Sequence, residues 1–460
     1  MLFNSFQFIF WFWPVVCIGF YLLCSANNRQ GAKVWLLMLS LVFYGWTRLS
    51  NLLVLIPSIL FNYFLSRKIV VHKDAKQRKL YLWLALAPNI LYLCTFKYAN
   101  AVFGTHWEFP LGLSFFTVTQ VMYLVDCFEG LTPPNSLLDH SLFVSFFPYI
   151  AAGPLTRSRI IVRQFDSAGN RDRAADIARG LFVFAIGLVK KVIFADSFRR
   201  LADAGFLQPT NLSTLEAWII SVAFTLEIYF DFSGYSDMAI GIALSLGFEI
   251  PENFNSPFRA QSVIEFWQRW HMTLSNFITT YLYTPIVRSF KKVTLATASV
   301  ATITAMLIAG IWHGAGWNFA IWGLLHGVAL SVNHYWKKSK RRMPSLLAWA
   351  ATFVFVNITL VFFRAPDVVS AVSIVKEMIP NPNLLSITAI RAKVRGVELE
   401  VMLLPLLIGT ILAFWGKNSG ELRRTFAPTT RSSLAVASLI LVALLFMNSN
   451  IAQEFVYFAF

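Results

Sequence analysis

Long apolar stretches, separated by short polar and basic ones, follow one another along the whole chain. Several approach the roughly 20 mainly apolar residues that a helix needs to span the hydrocarbon core of a membrane. They cover residues 6–23, 34–46, 51–65, 80–98, 111–127, 177–194, 215–232, 293–312, 317–335, 346–363, 401–414 and 434–446. Because some of them are short, the pattern predicts about 11 transmembrane helices together with re-entrant or interfacial ones. The expected fold class is therefore an all-α, polytopic membrane protein.

Two stretches depart from this pattern of plain spans. Residues 141–153 are apolar but short, and they lead into a run of arginines. Residues 251–292 are too polar to face lipid and too rich in tryptophan for a solvent-exposed loop. Irregular backbone at membrane depth is tolerated only where protein or a water-filled cavity surrounds it. We therefore expect re-entrant elements in both stretches, and we expect the chemistry to lie there.

Composition and charge agree with a membrane protein. Hydrophobic residues make up 57% of the chain and charged residues 13%, against about 45–50% and about 25% in soluble domains. The net charge of +16 comes from basic runs between apolar stretches, which is typical of cytoplasmic loops rather than of a nucleic-acid-binding face. The first basic residues, Arg29 and Lys33, predict an N terminus outside. We expect one integral-membrane domain over 1–460, with a motif-rich core over 140–335.

Residues 262–278 form an amphipathic segment around His271. Its apolar positions recur at steps of three and four residues, which is a helical period; they are Trp267, Trp270, His271, Leu274 and Ile278. Glu265, Arg269 and Asn276 lie off this stripe. Glu265 and Arg269 have the spacing of an i,i+4 pair. His271 is therefore expected on the buried side, either as a hydrogen-bonded core histidine or as a residue that contacts a ligand.

A second histidine lies between two long apolar segments. From Lys292 to His313 there are 21 residues, or about 31 Å of helix, and from His313 to Lys337 there are 24, or about 36 Å. If both basic flanks are cytoplasmic, His313 lies at the far turn of a helical hairpin. An intramembrane histidine is a functional candidate by default, and imidazole is a natural general base near neutral pH. The alternative is a histidine that caps the turn, whereas His326 is expected in the core.

Carboxylates form a third group near the end of an apolar span. Glu227, Asp231 and Asp237 are costly at that depth unless they are paired or hydrated. They are expected to pair with a basic residue such as Arg259 or Arg269, with a proton relay as the alternative.

The chain has no zinc-protease, phosphate-loop, dinucleotide or nucleophile-elbow motif, and its four cysteines lack metal-binding spacing. We therefore expect no metal site.

The ordered motifs resemble the membrane-bound O-acyltransferase (MBOAT) family, in its bacterial branch typified by the alginate O-acetyltransferase membrane subunit. The resemblance rests on segments 229–241, 251–258, 265–275 and 311–317, together with 152–157 and the N-terminal residues 2–8. It covers nearly the whole chain and is strongest over 227–327. The resemblance implies a helical bundle around a tunnel, with His313 as the catalytic base and His271 as the supporting histidine.

The resemblance also implies the substrates and the location. Acetyl-CoA would be the acyl donor, reached from the cytosol, with no permanently bound cofactor. The acceptor would be a hydroxyl on the other side of a bacterial inner membrane, with a partner protein completing transfer to a polysaccharide. Residues expected to contact substrate, as phosphate ligands, oxyanion donors or pocket walls, are Arg157, Arg269, Trp270, Asn276, Asp231 and Trp312.

Three alternatives remain at this stage. The branch that transfers D-alanine to teichoic acid, a cell-wall polymer, shares the two histidines. A proton-coupled transporter would use Asp231, Asp237 and the buried histidines as a relay. A structural subunit that only recruits a soluble acetyltransferase would tolerate replacement of both histidines.

Overall fold

The computed structural model describes residues 1–169, 172–206, 212–380, 396–449 and 455, and all regular elements in these residues are helical. The all-α prediction is therefore confirmed. The helices are α1 Trp13–Ser25, α2 Arg29–Gly45, α3 Ser50–Val71, α4 Ala75–Phe103, α5 Leu113–Phe128, α6 Leu137–Ser145, α7 Ser158–Ile161, α8 Arg173–Val189, α9 Asp196–Phe206, α10 Thr214–Ser245, α11 Val263–Arg269, α12 Met272–Phe277, α13 Thr284–Ser289, α14 Leu295–His313, α15 Trp317–Lys338, α16 Ser345–Arg364, α17 Val368–Glu377, α18 Gly396–Trp415, α19 Ser419–Thr425 and α20 Thr430–Ser449. Segments Phe8–Phe12, Lys190–Ala195 and Ile278–Tyr283 are π-helical and continue neighbouring helices.

Six described helical segments are long and apolar enough to cross a membrane, which confirms a multi-pass membrane protein. They are Phe8–Ser25, Ser50–Val71, Ala75–Phe103, Leu295–His313, Ser345–Arg364 and Thr430–Asn448. Other helices miss these criteria for identifiable reasons. Helix α2 has only 17 residues, and the 32-residue helix α10 holds three carboxylates in its interior. The expected total of about 11 and the single domain over 1–460 stay predictions.

Helices α8 and α10 pack together at the centre of the protein. Every residue of α10 from Ala223 to Ser245 is buried. Glycines allow the two backbones to approach closely: a Cβ atom at Gly187 would lie 2.6 Å from the Gly234 carbonyl oxygen, and one at Gly241 would lie 2.6 Å from the Gly180 carbonyl oxygen. The glycines of segment 229–241 therefore serve helix packing.

Helices α14 and α15 form the predicted hairpin, with His313 as the last residue of the first helix. Their crossing also depends on glycine, because a Cβ atom at Gly310 would meet the Phe319 carbonyl oxygen at 2.3 Å. A Cβ atom at Gly323 would meet the Met306 carbonyl oxygen at 2.4 Å. The hairpin is thus held by close backbone contact along its last turns.

Both stretches expected to be irregular are so. Helix α6 ends at Ser145 and is followed by buried turns and loops up to residue 156, and residues 251–271 form loops and short helices before a continuous helical run over 272–289. The apolar stripe over 262–278 predicts a single helix, and this prediction is wrong: α11 ends at Arg269 and α12 begins at Met272. Side-chain periodicity persists across the break because the two short helices bury the same side.

Candidate functional site

His271 lies at the break between α11 and α12, in a left-handed backbone conformation with φ +41° and ψ 53°. A residue other than glycine adopts this conformation only where its surroundings impose it. Here the Met272 amide donates to the Asn253 carbonyl oxygen at 2.9 Å, which ties the break to the preceding loop. The His271 side chain is fully buried.

Asn253 also fixes the His271 imidazole. The Asn253 side-chain oxygen accepts from the Thr273 amide at 3.3 Å and from the Thr273 hydroxyl at 2.9 Å, while its NH2 group donates to Ser236 at 3.2 Å. The same oxygen lies 2.9 Å from His271 Nδ1. Because that oxygen is an acceptor, the network assigns the proton of the neutral ring to Nδ1 and the lone pair to Nε2. Sequence reasoning placed Asn253 in segment 251–258 of the family resemblance but gave its side chain no role.

His313 is buried at the C-terminal end of α14, with a relative exposure of 3%. Three aromatic rings surround its imidazole: the ring centroids of Trp312, Trp322 and Phe363 lie at 4.8, 5.2 and 5.1 Å. The Trp322 ring stands at 90° to the imidazole. This enclosure limits the number of orientations that the ring can adopt.

The two histidines belong to one buried site. Both His271 and the Lys97 ammonium are close enough to His313 to interact with it electrostatically. Aromatic side chains contact both imidazoles: Phe232 packs edge-on against His271 at 4.6 Å, and Trp322, which packs against His313, also packs against Trp267 at 5.9 Å. The structure thus brings together the two candidates that the sequence placed in separate motifs.

His326 has a structural role, as expected. Its Nδ1 accepts from the Trp267 indole N–H at 3.2 Å, and its Nε2 lies 3.0 Å from the Thr359 hydroxyl oxygen. That hydroxyl in turn donates to the Val356 carbonyl at 2.9 Å. Both ring nitrogens are therefore used in linking α11, α15 and α16.

The expected partners of Asp231 and Asp237 are wrong. Asp231 pairs with Lys191 at 2.7 Å, and Asp237 pairs with Lys190 at 2.7 Å. Both lysines lie in the π-helical continuation of α8, within a stretch that the sequence marked only as apolar. Arg259 instead donates to the carbonyl groups of Phe414 and Gly416. Both carboxylates are thus in ion pairs, as expected, but with other partners. The sequence could not reveal these partners because only helix packing brings them together.

The two arginine candidates, Arg269 and Arg157, differ in whether they form an ion pair with a carboxylate. Arg269 pairs with Glu265 at 2.9 Å, as its spacing predicted. Arg157 donates to the Thr280 hydroxyl at 3.2 Å and lies over the Tyr281 ring at 5.4 Å. Arg157 forms no ion pair with a carboxylate in the described parts of the chain, which leaves its charge available to an anion.

The other candidates, Trp270, Asn276 and Trp312, have different surroundings. Trp270 is buried among aromatic side chains, with Phe254 at 5.0 Å. Asn276 accepts from the Thr280 hydroxyl at 3.3 Å and lines a cavity. Trp312 packs against His313, and its indole N–H is buried without an acceptor among the described residues.

Two cavities are lined by neighbours of the histidine site. One has a volume of about 460 Å³ and lies between α11–α12 and the basic half of the α14–α15 hairpin, where Met272, Asn276 and His334 line it. The other has a volume of about 660 Å³ and lies where α2 meets α3 and α4 meets α5, and Phe115 and Phe109 line it. Phe115 packs against Trp312 at 6.0 Å. Among the described residues, no group of three or more His, Cys, Asp or Glu side chains is arranged to hold a metal ion.

Comparison with known proteins identifies the class to which this fold and site belong. The model of the MBOAT, membrane-bound O-acyltransferase, family matches residues 133–369, which include the whole of the expected motif-rich core, 140–335. The chain is 36% identical to a peptidoglycan O-acetyltransferase of Helicobacter pylori, over 100% of this chain and 98% of that one. It is 36% identical to a probable alginate O-acetylase, AlgI, of Pseudomonas aeruginosa, over 90% and 81% of the two chains. A teichoic acid D-alanyltransferase of Bacillus subtilis is 29% identical over 54% and 66%.

The chain belongs to the membrane-bound O-acyltransferase family and is an acyltransferase. The names of the first two relatives state their substrates, which are peptidoglycan for the Helicobacter pylori protein and alginate for the Pseudomonas aeruginosa protein.

Proposed function

We propose that this protein transfers an acetyl group from cytosolic acetyl-CoA across the membrane to a hydroxyl acceptor, for O-acetylation of an extracytoplasmic polysaccharide through a partner protein. The observation that carries the proposal is the position of His271 and His313 in one buried site, next to residues that line two cavities. Both imidazoles are buried, and burial strengthens electrostatic interactions and limits the access of water that would compete with the acceptor hydroxyl.

His313 is the proposed general base. Its imidazole removes the proton of the acceptor hydroxyl as the oxygen attacks the thioester carbon, and a C–O bond forms. The tetrahedral oxyanion then collapses, the C–S bond breaks, and the imidazolium returns the proton to the thiolate of CoA. Acid–base catalysis of this kind is worth about 10²–10⁴-fold. His271, fixed by Asn253, supports the geometry of the site.

The oxyanion needs hydrogen-bond donors that are in place before the reaction. The buried indole N–H of Trp312 is the donor with the strongest support, because it lies beside His313 and has no acceptor among the described residues. Asn276 and the backbone amides around Gly314 are further candidates.

The cavity at the basic half of the hairpin suits the donor. Its wall combines apolar side chains with Ser275, Asn276 and Thr279, a lining compatible with the amide-containing arm of CoA. Arg157 is the better of the two arginine candidates for the CoA phosphates, because Arg269 is already paired with Glu265.

The second cavity suits an acceptor that arrives from the opposite side. It is lined by polar residues such as Ser5, Thr47 and Asn51, and also by Phe115, whose ring packs against that of Trp312. We propose that a partner protein presents the hydroxyl there and completes transfer to the polysaccharide, in a bacterial inner membrane.

Purified protein in lipid nanodiscs provides the test. With acetyl-CoA as donor, we expect release of free CoA that requires a soluble hydroxyl compound, offered in place of the hydroxyl that the partner presents, and that leaves an O-acetyl ester on this compound. Uptake of acceptor into vesicles without ester formation would instead support the transporter alternative. Activity only with a D-alanyl donor would contradict the acetyl group but retain acyl transfer.

A further inference from the structure

Helix α4 places two consecutive side chains on the C-terminal end of α14. The Lys97 ammonium donates to the carbonyl group of Trp312, and the Tyr98 hydroxyl donates to the carbonyl group of Ile311. The last four carbonyl groups of a helix have no partner within that helix, and inside a membrane no water replaces the missing donors. Two of these carbonyl groups are therefore satisfied from a neighbouring helix.

Lys97 also contacts the Trp312 side chain. Its Nζ lies 5.4 Å from the centroid of the Trp312 ring and 5.8 Å from that of Phe109, which are distances of cation–π contact. The Trp312 ring in turn packs against the His313 imidazole at 4.8 Å. Lys97 therefore contacts Trp312, and Trp312 contacts His313, the proposed base.

Lys97 differs from the other lysines in the protein interior. Three buried or half-buried lysines each have an aspartate partner: Lys33 with Asp139, Lys190 with Asp237 and Lys191 with Asp231. Lys97 forms no ion pair with a carboxylate in the part of the chain that the structure describes. A lysine without a counter-ion in a membrane helix is costly and marks a functional site by default.

We propose that Lys97, assisted by Tyr98, is a positioning residue that caps the carbonyl end of α14 from α4 and thereby fixes the orientation of His313. A cation at this end of a helix also complements the helix dipole. The inference rests on the proposed function, in which His313 is the base. The donor cavity is lined by Thr302, Ala305 and Met306 of α14 and not by Lys97, so the cap should affect turnover rather than donor binding.

The test compares Lys97→Met, Lys97→Arg and Lys79→Met in nanodiscs. Lys97→Met removes the donor and the charge at similar length, and we expect kcat to fall about 10–100-fold because small displacements of a catalytic group are that costly. The KM for acetyl-CoA should change less than about twofold, as for a group that acts in the transition state only. Lys97→Arg should restore most of the activity. Lys79→Met, the same change at an exposed position of α4, should behave as wild type.

Tyr98→Phe is a milder second variant in case Lys97→Met does not fold. We expect a smaller loss of kcat with an unchanged thermal midpoint. Wild-type kcat in Lys97→Met, a rise in KM alone, or no recovery in a stably folded Lys97→Arg would overturn the inference. Full kcat in Tyr98→Phe would overturn it where Lys97→Met is unfolded. Absence of CoA release from the wild type would overturn the proposed function as well, so the two failures are distinguishable.

Discussion

Asn253 is the residue on which the geometry of His271 depends most. Its side-chain oxygen lies within hydrogen-bond distance of His271 Nδ1 and accepts twice from Thr273. Without that oxygen, the imidazole could exchange its tautomer, and the left-handed backbone at His271 would lose one of its fixed neighbours.

Replacement of Asn253 therefore affects turnover. We expect Asn253→Ala to lower kcat about 10–100-fold, the cost typical of removing a group that orients a functional histidine. Ser236→Ala is the matched control, because it removes only the acceptor of the Asn253 NH2 group and leaves the contact with His271. Steady-state CoA release measures both variants, and equal rates in the two would contradict this role for Asn253.

At the scale of elements, glycine sets the distance between the two helices of the His313 hairpin. Gly310 and Gly323 face each other so closely that any Cβ atom would press on the backbone of the other helix. The hairpin turn is where α14 presents His313, so the separation of these helices decides where the imidazole lies.

Gly323→Ala tests this crossing. The added methyl group would lie 2.4 Å from the Met306 carbonyl oxygen, and overpacking of this kind costs about 1–3 kcal/mol. We expect a lower thermal midpoint together with a lower kcat. Val300→Ile, which adds one carbon at a position of α14 that is 52% exposed, should change neither; a Gly323→Ala protein as stable as wild type would show that the helices can separate freely.

Sequence patterns predicted the hairpin well and residues 262–278 less well. The hairpin follows from length and basic flanks, which are local quantities. The break at His271 does not, because the period of apolar side chains reports which side is buried and carries no information on φ. Lys190 and Lys191 were missed for a different reason: their partners on α10 are about 40 positions away in the chain, and no local pattern marks such a pair.

At the scale of the whole molecule, the basic connections gather at one end of the helices. Arg173 reaches Ser25 at that end, and Asn418 reaches Asn255. At the other end, Tyr44 donates to the Leu111 carbonyl and Arg364 pairs with Asp203. The positive-inside rule then predicts that the turn after His313 faces away from the cytoplasm.

Cysteine labelling in oriented vesicles checks this orientation. We expect Trp317→Cys, at a position that is 82% exposed in the hairpin turn, to react with a membrane-impermeant maleimide only from outside. Ser339→Cys, in the exposed basic turn after α15, should react only from the cytoplasmic side. The unmodified chain, with its four native cysteines, provides the background, and labelling of both positions from the same side would contradict the topology.

The central claim is that His313 is the base of an acyl transfer, and acceptor-dependent CoA release tests it most directly. The measurement compares wild type with His313→Gln and His326→Gln in the same lipid. We predict that His313→Gln lowers kcat about 10²–10⁴-fold. His326→Gln should retain most of the activity, because a glutamine can still accept from Trp267 and donate to Thr359. Comparable rates in wild type and a folded His313→Gln protein would contradict the account.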